Sequence, residues 1–207
     1  MQNSILNNRL SIGRCMGSME IIERAKDILR RKPVDTAHGL DHHEAVVDNC
    51  LRIIQAERLS IDIDSLKIAA WWHDLESQQG ATDVLRKEMV LLGFDQQSVE
   101  TVSAIVRSHT YGGKQKTVEA KVLFDADKIE YFNPKRIRDA LEDAQKGVLP
   151  ISALEKYYHS WFERHQRVLD SFHFGYSKKV AQDNLAATSN QIEKTRIFLE
   201  SVKLRLT

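Results

Sequence analysis

The chain is poor in residues that break or staple structure: its 207 residues hold only 3 prolines, 9 glycines and 2 cysteines. So few breakers among many Ala, Leu, Ile, Glu, Lys and Arg exclude a turn-dense or linker-like architecture and favour helices. Cys15 and Cys50 lie too far apart for a metal or redox spacing, so both are read as reduced thiols of a cytoplasmic protein. No stretch approaches the ~18 consecutive apolar residues of a bilayer-spanning helix. The leader MQNSILNNRLSIGRCMGS has no continuous apolar core, which excludes a secretory signal. Charge of one sign is missing too, because 30 basic residues face 29 acidic ones. No global field draws the chain to a membrane or into stable nucleic-acid binding.

What is there is helical periodicity. Ile21, Ile22, Ala25, Ile28 and Leu29 predict a helix from about Ser18 to Lys32, stopped by Pro33. Further helices are expected over 41–57, 64–76, 82–92, 97–109, 118–132, 134–146, 151–172 and 177–203. The third carries Ile68-Ala69-Ala70-Trp71-Trp72, and a helix apolar nearly all round is a central one. The last spaces Ala181, Leu185, Thr188, Ile192, Thr195, Leu199 and Val202 alternately by four and three, a heptad-like seam. A helix packed on its own domain explains that seam better than a dimer coil does. No strand alternation or internal repeat is found, so the fold class is all-α. Residues 1–18 are expected to be a flexible tail, with Met16 and Met19 as alternative starts, ahead of a single helical domain over 19–207.

Within these helices a few polar residues stand where packing alone does not call for them. His42, the pair His73-Asp74, and Asp127 each lie in an apolar stretch. A buried carboxylate is costly unless it is paired or binds a metal. Two imidazoles and two carboxylates from separate segments, converging, would make a mixed nitrogen and oxygen site for a divalent cation. In HGLDHHEAVVDNC, helical geometry does not cleanly separate His42 from His43. His43 points to the middle of the apolar face, which suits a core imidazole bonded to a carbonyl; His42 points to its edge, which suits a ligand facing a cleft. His38 lies one turn before His42. Glu76, one turn after His73, reads as a solvated acid. Asp125 and Asp127 are two apart and face nearly opposite ways on a helix; Asp127 is preferred, with Asp125 behind the site or on the surface. Lys128 could reach a phosphate oxygen. His109 points inward and has three readings, a fifth ligand, a proton donor or a core histidine. The Lys114 and Lys116 loop reads as a solvated turn. His159, His165 and His173 have no partner pattern.

Taken in order, these segments resemble the HD-domain superfamily of metal-dependent phosphohydrolases, in its small stand-alone bacterial form. His38, His42, Val46, Asn49 and Cys50 hold the places of a His-x3-His element with its following Val and Asn-Ala. Trp71-Trp72-His73-Asp74 stands where the family has Leu-Leu-His-Asp, IVRSHT is similar to an Ile-x-x-His-Ser element, and LFDADKIE matches Asp-Ala-Asp-Arg/Lys-Leu. The similarity runs from about Ile21 to Val202.

The resemblance implies an all-α HD-domain fold, with an HD core over about 38–135 and C-terminal helices over 136–207. It implies one divalent cation (manganese, magnesium, zinc, nickel or iron) held by His42, His73, Asp74 and Asp127. It also implies hydrolysis of a phosphate ester or anhydride of a small molecule such as a nucleotide. Asp74, His38 and His109 would serve the chemistry, and His38, His109 and Lys128 would contact the substrate. The protein would be a monomer or a homodimer. Leu75-Glu76-Ser77-Gln78 after His73-Asp74 departs from the Glu-Asp of alarmone hydrolases, and no Gly-Tyr-Pro of cyclic di-nucleotide hydrolases is present. A di-iron oxygenase of the same superfamily is the second reading, disfavoured by the shortage of extra histidines between His73 and Asp127. A non-catalytic ligand-binding or signalling module is the third, disfavoured by the intact ligand set.

Overall fold

A computed structural model describes residues 2–31, 39–75, 81–110 and 112–206. Among the described residues the secondary structure is helix without strand, as the composition predicts. The helices are α1 (Gln2–Arg31), α2 (Leu40–Glu57), α3 (Ile63–Trp72), α4 (Ala81–Leu91), α5 (Gln96–Ser108), α6 (Val118–Tyr131), α7 (Pro134–Gln145), α8 (Ile151–Ser171) and α9 (Gly175–Leu206). Most boundaries fall within a residue or two of the periodic stretches. The exceptions are α1, which begins well before Ser18, and α3, which ends at Trp72 and leaves His73-Asp74 in the turn beyond it.

Short polar side chains set several of these boundaries. Asp62 caps α3 by accepting the Ser65 N–H at 3.1 Å and the Ser65 hydroxyl at 2.8 Å. Asp95 does the same for α5 through the N–H and hydroxyl of Ser98, at 2.8 and 3.0 Å. Asn133 caps α7 and accepts the Lys135 N–H at 3.0 Å, with Pro134 placed where a helix has no use for its missing donor.

The chain divides into two compact units, Met1–Phe124 and Asp125–Thr207. In the first, α3 packs against α1, α2 and α5, and α4 packs against α5 and α1. The apolar run of α3 is buried throughout, as expected of a central helix. Trp72 Nε1 donates to the Ile21 carbonyl of α1 at 3.1 Å, so the largest core side chain leaves no orphaned polar group. In the second unit α9 packs along α7 and α8. Ala181, Thr188, Ile192, Thr195 and Leu199 are all buried, so the heptad-like seam is spent on the chain's own helices. Thr188 Oγ1 donates to the Phe132 carbonyl at 2.7 Å, which satisfies a hydroxyl in that seam. Among the described residues no helix is long and apolar enough to cross a membrane.

Candidate metal centre

The first unit gathers its buried histidines at one place, the C-terminal end of α3. The apolar run of α3 drives that helix through the middle of the unit and delivers His73 and Asp74 where it stops. His73 is fully buried, and its Nδ1–H donates to the Ala70 carbonyl at 2.7 Å. That bond makes Nδ1 the donor and turns Nε2 toward His42 and Asp74. His42, buried on α2, brings its Nε2 to 3.3 Å from His73 Nε2. Asp74 Oδ2 lies 3.1 Å from His42 Nε2 and 3.2 Å from His73 Nε2. Burial alone would raise the Asp74 carboxyl; charge on His73 and hydrogen bonds from His42 and His73 outweigh it and hold it well below the usual carboxylate range. Asp74 is therefore an anion among buried imidazoles.

His109 closes α5 beside this group. Its Nδ1–H donates to the Val106 carbonyl at 2.5 Å, the same one-turn device that orients His73. His109 Nε2 stands 3.9 Å from Asp74 Oδ1, and its ring meets that of His73 edge-on at 5.2 Å. The loop after it is held close: Gln115 Nε2 donates to the Ser108 carbonyl at 2.5 Å. A Cβ on Gly113 would come within 2.8 Å of that same carbonyl oxygen, so the position needs glycine.

His43 is fully buried and donates Nδ1–H to the Gly39 carbonyl at 3.0 Å, the carbonyl contact expected of it. Its ring lies nearly parallel to Trp71, 11° between planes with centroids 6.0 Å apart. Burial, with repulsion from His73 and His42, lowers its pKa to about 3. It is not fully satisfied, however, because His43 Nε2 has no hydrogen-bond partner among the described residues. One ligand atom each from His43, His73 and Asp74 fall within 4.8 Å of one another. Four imidazoles and a carboxylate thus meet inside the first unit, more nitrogen than the sequence pattern alone suggested.

Asp127 and Lys128 lie on the part of α6 assigned to the second unit, where Asp127 is buried and ion-paired with Lys128. Asp125 lies neither on the surface nor free for a ligand. It is fully buried, and its carboxylate accepts the backbone N–H groups of His173 (3.0 and 3.1 Å) and Phe174 (3.0 Å) and the His173 ring N–H at 3.0 Å. It therefore anchors the chain just ahead of α9. That contact joins residues 48 apart, and no local pattern announces it. His38 and Glu76 lie outside the described residues.

These donors suit a divalent cation of intermediate hardness: imidazole nitrogens with their tautomers set from behind, and an ionised carboxylate.

No protein-family model matches the chain, and none of the curated proteins matches it. Solved structures do. A Lactobacillus plantarum protein is 16% identical with a TM-score of 0.71, over 90% of this chain and 98% of its own. Bacillus subtilis YpgQ in complex with ADP is 18% identical with a TM-score of 0.66, over 88% of this chain and 94% of its own. An HD-superfamily hydrolase from Bacillus thuringiensis is 16% identical with a TM-score of 0.64, over 87% of this chain and 95% of its own. The all-α fold read from the sequence is thus shared with these solved structures, an HD-superfamily hydrolase among them.

Proposed function

We propose that this protein is a metal-dependent phosphohydrolase that cleaves a phosphate ester or anhydride of a small molecule, foremost a nucleotide. The observation that carries the reading is the meeting of His42, His73 and Asp74, with ligand atoms 3.1 to 3.3 Å apart at the end of a buried helix. The B. subtilis relative of the same fold, solved with ADP, supports a nucleotide as the substrate class. The ligands proposed for one divalent cation are His42, His73, Asp74 and Asp127, the last from the order of the sequence motifs. Manganese, magnesium, zinc, nickel and iron are the candidates.

A bound cation of this kind lowers the pKa of coordinated water from ~15.7 toward ~7 and offsets charge on phosphoryl oxygens. The protein's own groups supply the rest. Asp74 holds negative charge between two imidazoles and orients what lies against it. His109, with Nδ1–H donated to the Val106 carbonyl, presents Nε2 toward Asp74; protonated there, it can pass that proton to a leaving oxygen. His38 and Lys128 are assigned to steadying the phosphate. Every group comes from one chain, so the reading serves a monomer or a homodimer in the cytoplasm alike.

Purified protein should release phosphate from at least one member of a nucleotide panel when loaded with one of those metals. His73→Ala and Asp74→Ala should each lose bound metal and at least about 100-fold in turnover while keeping their helical circular dichroism. Loaded protein without turnover on any phosphorylated compound, or full metal content and rate in Asp74→Ala, would sink the reading.

A further inference from the structure

His43 does not follow from the ligand pattern, yet it is built as ligands are built. It sits on the first turn of α2, with its ring centroid 5.5 Å from that of His42 and 4.8 Å from that of His73. The Gly39 carbonyl accepts a hydrogen bond from its Nδ1–H, which places the lone pair on Nε2. Trp71 lies along one face of the ring and sets its plane. The remaining nitrogen is buried with no donor to satisfy it among the described residues. A phenylalanine would fill the same space against Trp71 without stranding a polar atom, so packing alone leaves the imidazole unexplained. A cation in contact with Nε2 would satisfy it.

Resting on the metal-centre reading above, we propose that His43 is a further nitrogen ligand of the cation bound by His42, His73 and Asp74. A third imidazole shifts the centre toward the metals that imidazole suits, zinc, cobalt, nickel and iron, and away from magnesium, which keeps oxygen ligands and water.

The test is a cobalt(II) titration of metal-free protein, followed by visible absorption and by equilibrium affinity, with magnesium measured in parallel. His43→Phe keeps the stack on Trp71 and removes the nitrogen. It should weaken cobalt binding by about tenfold or more, change the ligand-field bands, and leave magnesium affinity within about twofold. Unchanged cobalt affinity and bands in folded His43→Phe would overturn the assignment while leaving the metal-centre reading intact. Wild-type protein that binds no cobalt would overturn both. Should His43→Phe fail to fold, X-ray absorption of cobalt-loaded His109→Ala decides: three imidazoles are expected, and two would overturn the assignment.

Discussion

Two aspartates on α6, Asp125 and Asp127, illustrate how one segment divides structural and chemical work. Asp125 has no exposed surface and accepts two backbone N–H groups and an imidazole N–H. Replacing it by alanine strands those donors in the interior, so Asp125→Ala should cost about 2 to 4 kcal/mol of stability. Asp125→Asn, which keeps one acceptor oxygen, should lose less; urea unfolding of the two variants checks the order, and equal losses would refute it. That Asp125 and Asp127 face different surroundings was legible from their spacing of two on a helix. The identity of Asp125's partners was not, because His173 and Phe174 arrive from a distant stretch. His43 is the converse case. Its place in the middle of the apolar face and its carbonyl bond could be anticipated, but its orphaned Nε2 appears only once the neighbours from α3 are in place.

Helix ends carry a second layer of information. Asp62, Asp95 and Asn133 cap α3, α5 and α7, which begin where they stand. Arg58 is less regular. It ends α2 in the left-handed conformation, at φ 53° and ψ 45°, where its N–H bonds the Ile54 carbonyl. A side chain bearing Cβ is strained there, and glycine is the usual occupant. Arg58→Gly should therefore raise stability by about 0.5 to 1 kcal/mol, partly offset by the looser unfolded chain. A thermal melt reads the effect, and a lowered midpoint would show that the arginine side chain contributes more than the strain costs. The turn at His73-Asp74 has a different logic. The apolar run that makes α3 central ends at Trp72, so the first polar residues after it arrive still deep inside the unit.

At the scale of the whole molecule, the buried His43 makes the metal-free protein sensitive to acid. His43 is held at about 3 in the fold against 6.5 for an ordinary histidine. Below pH 6.5 the unfolded chain takes up a proton there that the folded chain refuses, so its contribution is whole above that pH and is lost as pH falls toward 3. Between about pH 7.5 and pH 5, metal-free wild type should lose about 2 kcal/mol more stability than His43→Phe. Denaturant titrations at both values test this, and parallel losses would show that His43 is already charged in the fold. The helical class, the succession of helices, the central place of α3 and the candidates His42, His73, Asp74 and Asp127 all follow from periodicity and from polar residues placed in apolar runs. Such signals are local, carried by neighbours within a turn or two. Which imidazoles surround Asp74, that His43 joins them with an unsatisfied nitrogen, and that Asp125 anchors α9 depend on contacts between segments far apart in the chain. Those contacts exist only after packing has chosen which helix faces meet.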